Sequence, residues 1–207
     1  MSRRPFPAAA LSLALAALAP AGVSRAEAPC HGEAADRPPA PLAASSKLPD
    51  AVLLDEEGRE VRFADLVGGR RVAVSFIFTT CTTICPPIGA NFARLQRELA
   101  ERQVSGVGLL SVSVDPRTDT PERLKAWRER VGGTAGWTLL TGPKPRVDGL
   151  LRALGVFTAN PLEHAPVILV GDGSTGRWRR VYSMTPPAEL AALLVEGPGA
   201  GGEAAGR

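Results

Sequence analysis

The chain has 207 residues, 44% of them hydrophobic, and a formal net charge of +3 from 24 Lys and Arg against 21 Asp and Glu. That length suits one globular domain with tails. The basic excess lies at the N-terminus: residues 1–26 contain Arg3, Arg4 and Arg25 and no acid, so the remainder carries 21 basic and 21 acidic residues. A balanced chain of this kind gives no ground for expecting nucleic acid or an anionic surface as partner.

Residues 1–26 read as a targeting segment. Two arginines precede a short apolar run, Ala8–Ala19, and Ser24-Arg25-Ala26 supplies small residues for cleavage before Glu27. The run is short for a bilayer span, so cleavage is the first expectation and an uncleaved anchor the alternative. The start Ser2-Arg3-Arg4-Pro5-Phe6 resembles a twin-arginine export signal, which leaves two export routes open. Export places the protein in the periplasm or on the outer face of the cytoplasmic membrane. Residues 27–48, rich in Ala and Pro, read as a disordered linker, and Cys30-His31 within it as an incidental pair. The folded domain is expected over 49–195, and a Gly/Ala-rich disordered tail over 196–207.

Within the domain, Val52–Asp55 and Arg59–Phe63 flank Glu56-Glu57-Gly58, the pattern of a hairpin. A helical turn is expected at 64–67 and a buried strand at Val72–Phe78. The next helix is placed at Pro87–Arg102, with Ile88, Phe92, Leu95 and Leu99 as its core face. A second buried strand, Val107–Val114, ends at Asp115-Pro116. Thr120 then reads as an N-cap, with Pro121 at the first helical position and Glu122 in the first turn. A helix to Val131, a strand at Trp137–Leu140 and a helix at Arg146–Leu154 follow. After a loop at 156–163, the chain offers a strand at Pro166–Val170, a turn, a strand at Trp178–Tyr182 and a last helix at Pro187–Val195. Phe92, Trp127 and Trp137 read as core rather than as a cofactor box. Parallel βαβ units followed by a hairpin and a closing helix define an α/β protein, a thioredoxin-like fold with an N-terminal β-hairpin.

Chemistry concentrates at Cys81-Thr-Thr-Ile-Cys85-Pro86, between the first buried strand and its helix. Helix N-termini favour anions, so both thiols are expected to ionise easily. Four residues apart, the sulfurs could close a disulfide or grip one soft metal, with Cu(I), Zn and iron–sulfur clusters all open at this point. Asp115 could stand near such a metal or simply form the turn before Pro116. No phosphate-binding loop is present, and the single histidine of the domain, His164, argues against a three-histidine zinc hydrolase.

The residues Thr80-Cys81-x-x-x-Cys85-Pro86, Asp115-Pro116-x-x-Asp119-Thr120-Pro121, Trp137–Gly142 and His164 before a strand resemble the SCO/SenC family over about Leu53 to Tyr182. The resemblance implies a copper site made by Cys81, Cys85 and His164. It further implies a metallochaperone, without turnover chemistry, that delivers copper to the dinuclear CuA site of a respiratory cytochrome oxidase. The expected partner is subunit II of cytochrome c oxidase, with another periplasmic copper chaperone or a thiol reductase upstream. The expected cargo is Cu(I), the three-residue gap leaving slack for Cu(II) as well. The alternative is a periplasmic thiol–disulfide oxidoreductase that keeps acceptor cysteines reduced, with Cys81 attacking, Cys85 resolving and His164 tuning the thiolate. An oxidised Cys81–Cys85 disulfide cannot take copper, so one site serves one role at a time.

Overall fold

Residues 51–197 are described by a computed structural model. The expected signal segment, the expected linker with Cys30-His31 and most of the expected tail lie outside the described residues. The chain order is β1 (Val52–Leu54), β2 (Glu60–Arg62), α1 (Phe63–Val67), β3 (Arg71–Ile77), α2 (Cys85–Glu101), β4 (Val107–Ser113), α3 (Pro121–Arg130), β5 (Trp137–Leu140), α4 (Lys144–Ala153), β6 (Val167–Asp172), β7 (Arg177–Tyr182) and α5 (Pro187–Glu196). A single 3-10 turn, Pro161–Glu163, stands before β6.

Five strands form one mixed sheet in the order β5-β4-β3-β6-β7. β3, β4 and β5 run parallel; β6 runs antiparallel to β3 and β7 antiparallel to β6. β3 sits at the centre, and six of its seven residues are buried. That is why it reads as a continuous apolar run rather than an alternating one. The crossovers β3-α2-β4 and β4-α3-β5 step the same way across the sheet, and right-handed connections put α2 and α3 on one face. The two helices approach closely at Gly89, where an added Cβ would lie 2.7 Å from the Trp127 ring. Phe92 and Trp127 pack against Trp137, with ring centroids 5.3 and 5.9 Å apart. The three aromatics are core, as their spacing predicts.

The hairpin β1-β2 pairs Val52–Leu54 antiparallel with Glu60–Arg62 around the expected turn. Asp55 makes that turn by accepting from the Glu57 and Arg59 amides, both at 2.9 Å. The hairpin joins the main sheet's edge through a bridge from Leu54 to Thr141. Buried Glu56 then reaches inward: it pairs with buried Arg128 of α3 and accepts from the Leu139 amide of β5 at 2.9 Å. The Thr120 cap is made as expected, its Oγ1 accepting from Arg123 N at 3.4 Å. Among the described residues no helix is long and apolar enough to cross a membrane, and no peptide bond is cis, the Ala165–Pro166 bond included.

Candidate metal centre

The segment after β3 turns through Thr79–Ile84 into α2, which begins at Cys85, two residues earlier than its pattern predicts. Pro86 and Pro87 therefore fill first-turn positions where no amide donor is needed. Cys81 stands before the helix rather than on it. Its Sγ accepts from the Cys85 backbone N–H at 3.3 Å, so a sulfur takes the place of an N-terminal capping oxygen. Thr83 Oγ1 lies 3.8 Å from the same sulfur. Both cysteines are free thiols.

Their environments differ, which corrects the expectation that both ionise easily. Burial opposes ionisation of Cys81, but hydrogen bonds from Cys85 and Thr83 outweigh it and hold the pKa below the ordinary 9.0. Burial dominates at Cys85 and pushes its pKa up to about 12, with a hydrogen bond from the Phe78 backbone pulling the other way and the charges of Cys81 and Asp119 adding to the rise. The helix terminus thus serves one sulfur, while desolvation governs the other. Cys81 is 8% exposed and Cys85 fully buried, which agrees with Cys81 as the more accessible thiol.

Asp119 was legible only as part of the approach to α3, yet it lies beneath the cysteine turn, 1% exposed. Its carboxylate accepts from Thr79 N at 3.0 Å, Thr79 Oγ1 at 2.6 Å and Ser113 Oγ at 2.6 Å. Burial raises its pKa, and those hydrogen bonds pull against the rise. The group ties the end of β3 to the end of β4 and sets the start of the cysteine loop. Asp115, the acid weighed from sequence as a neighbour of the metal, forms the turn instead, its carbonyl accepting from the amides of Thr118 and Asp119.

His164 enters from the other side of β3. It follows the 3-10 turn, and its ring packs edge-on to Phe78, centroids 5.7 Å apart. Phe78 is three residues from Cys81, whose amide donates to the Phe78 carbonyl. His164 Nδ1 lies 2.7 Å from the Pro161 carbonyl. A carbonyl only accepts, so Nδ1 carries the proton, and in the neutral ring Nε2 presents a lone pair. That Nε2 is buried without a hydrogen-bond partner. Buried nitrogens are rarely left so, and a soft cation is a natural complement to a bare imidazole nitrogen. The fold brings the two cysteines into contact and His164 to the same end of the central strand. It does not draw all three together: among the described residues no three His, Cys, Asp or Glu side chains are grouped closely enough to hold a metal ion.

A central strand that delivers two cysteines to a helix N-terminus, with a histidine arriving just before the neighbouring antiparallel strand, defines the class of thioredoxin-like thiol proteins. A family model, SCO1/SenC, matches residues 43–189, and the chain belongs to that family. It is 37% identical over 89 residues to the SCO1 protein homolog of Bacillus subtilis, covering 42% of this chain and 45% of the relative, so the match spans about half the length of that protein. A SCO1/SenC family lipoprotein from Bacillus anthracis superposes with a TM-score of 0.66 at 26% identity, over 77% of this chain and 98% of its own. BsSco, a member of the Sco family of cytochrome c oxidase assembly proteins in which a disulfide switch has been identified, gives 0.64 at 23% identity over 76% and 95%. Copper-bound yeast Sco1 gives 0.62 at 20% identity over 73% and 92%. The last two likenesses speak to the fold alone.

Proposed function

We propose that this protein binds one copper ion through Cys81, Cys85 and His164 and passes it by ligand exchange to an apo copper protein of a respiratory oxidase. The acceptor in this reading is the cytochrome c oxidase subunit that carries the CuA site. The observation that carries the reading is the bare, buried Nε2 of His164 at the same end of β3 as two free thiols. Two thiolates and a neutral imidazole suit Cu(I) and leave the site with one net negative charge. Membership of a family with a copper-bound member and an assembly role supports the same reading. Export through the N-terminal segment would put the site where such an oxidase exposes its copper domain. The lipoprotein relative also belongs to a membrane-bound setting.

Titrating the reduced chain anaerobically with Cu(I) against a competing chelator tests this. One tight equivalent, lost in His164→Ala, is the expected result. Binding no stronger than that of a Cys81→Ser/Cys85→Ser control would overturn it.

A second reading is favoured by the unequal thiols. A Cys81 of lowered pKa, the more accessible of the two, beside a fully buried Cys85 of raised pKa is the division of labour of an attacking and a resolving cysteine. It makes the protein a thiol–disulfide oxidoreductase, whose couple should survive His164→Ala.

A further inference from the structure

A cleft of about 570 Å³ opens beside Cys81, between the Thr79–Thr82 turn, the first turns of α2 and the C-terminal half of α3. Its walls are Thr79, Thr80 and Thr82 on one side and apolar Pro86, Trp127 and Val131 on the other. Arg130 closes one end and takes part in no ion pair among the described residues. Arg123 lies outside the lining but braces it, its Nε donating to Thr79 Oγ1 at 3.2 Å. Residues 123, 127 and 130 share one face of α3, because three- and four-residue steps return to the same side of a helix. The acids of that helix, Glu122 and Glu129, fall on a different face, beside Glu56 and Glu57. The charge on α3 is therefore sorted: one cation, Arg130, and no acid lines the cleft beside Cys81.

We propose that this cleft docks an extended, acidic, cysteine-bearing segment of the partner protein, with a carboxylate of the segment on Arg130 and its thiol laid against Cys81 Sγ. The proposal rests on the ligand-exchange reading above and names the side from which exchange starts. The volume matches a few residues of extended chain rather than a folded surface. Thr80 and Thr82 supply polar groups for main chain, and the Trp127 wall takes a side chain. Cys85 and His164 Nε2 are not part of the lining, so Cys81 is the donor sulfur that an incoming segment meets first.

The test uses the full chain with Cys30→Ser and Cys85→Ser, so that Cys81 is its one thiol. The probes are octapeptides with a single cysteine between Asp or between Lys residues, each carried as its mixed disulfide with thionitrobenzoate. Cys81 thiolate attacks the peptide sulfur, a protein–peptide S–S bond forms, the old S–S bond breaks, and thionitrobenzoate leaves with the electron pair as a coloured thiolate. At low salt the Asp peptide should react at least about fivefold faster than the Lys peptide, and Arg130→Glu should abolish or reverse that preference. Neutral dithiodipyridine should react equally with both proteins, which shows Cys81 itself unaltered. Equal rates for the two peptides, or a preference that survives Arg130→Glu, would overturn the proposal. So would an equal preference for the thionitrobenzoate disulfide of mercaptosuccinate, since a small thiol acid would then suffice. With native cysteines, Arg130→Glu should keep its Cu(I) equivalent. A loss of copper binding already in the unaltered chain would instead count against the copper reading, so the two failures are separable.

Discussion

Two buried polar assemblies, one under the hairpin and one at the C-terminal end of β3, are built on opposite terms. At the hairpin, Arg128 Nη1 donates to Glu56 and, at 2.9 Å, to the Trp137 carbonyl, while the second Glu56 oxygen takes the Leu139 amide. Nearly every charge there has its partner, leaving Arg128 Nε without one. At the cysteine turn, the polar atoms that matter are left incomplete: His164 Nε2 has no partner, and two free thiols stand without a disulfide. A buried pair of opposite charges locks three elements together, because removing either charge strands the other in low dielectric. An incomplete assembly stores capacity to bind, and its cost is carried by the surrounding fold. The site is thus read from what the structure leaves unpaired rather than from what it pairs.

Breaking the closed network should have the largest effect. Glu56→Ala leaves Arg128 buried and alone and should cost about 3–5 kcal/mol of stability, seen as a lower denaturant midpoint. The folded fraction should still bind copper. His164→Ala should do the reverse. Removing a ligand should weaken Cu(I) binding by more than the about 100-fold seen when only a supporting group of a metal ligand is lost. The thermal midpoint of the copper-free protein should move little, because the imidazole leaves only one hydrogen bond behind. If the two substitutions had the same profile, the contrast drawn here would fail.

Acidity sharpens the comparison. The Cys85 pKa of about 12 lies above its ordinary 9.0, so the folded state holds that proton more tightly than the unfolded state does. The stabilisation is therefore complete below about pH 9 and is lost as pH rises towards about 12. Denaturation of the copper-free protein followed from pH 8 to 11 should show falling stability, and Cys85→Ser should flatten that slope. Copper must displace the same proton, so apparent Cu(I) affinity should climb at least about tenfold per pH unit across the neutral range. Chelator competition at pH 6, 7 and 8 measures this directly.

The smallest expected effect is at the cap of α3. Thr120→Ala should cost about 1 kcal/mol and leave copper affinity unchanged, since the cap serves the helix and not the sulfurs. Urea titration together with Cu(I) competition distinguishes the two contributions.

Much of this molecule is written locally. The hairpin turn, the apolar run of β3, the Thr120-Pro121-Glu122 start of α3, the strand at Trp137–Leu140 and the core face of α2 all follow from patterns within one strand or a few helical turns. The cysteine pair at a strand-to-helix junction follows too, because Pro86 and Pro87 announce a first turn. The start of α2 at Cys85 was not legible: a Pro-Pro pair marks a helix start only to within a residue or two. Nor was the split between the thiols. A helix terminus is visible in a sequence, but desolvation depends on what other segments lay over the sulfur. Asp119 lowers its carboxylate beneath Thr79 from 40 residues away, and His164 reaches Phe78 from the far side of β3. The proton on Nδ1 and the bare Nε2 depend on one carbonyl in a 3-10 turn that periodicity does not reveal. Local propensities determined the elements and their order; the tertiary structure alone decided which thiol ionises, which nitrogen is free and which cation lines the cleft, because burial and through-space charge belong to neighbours that the sequence does not place side by side.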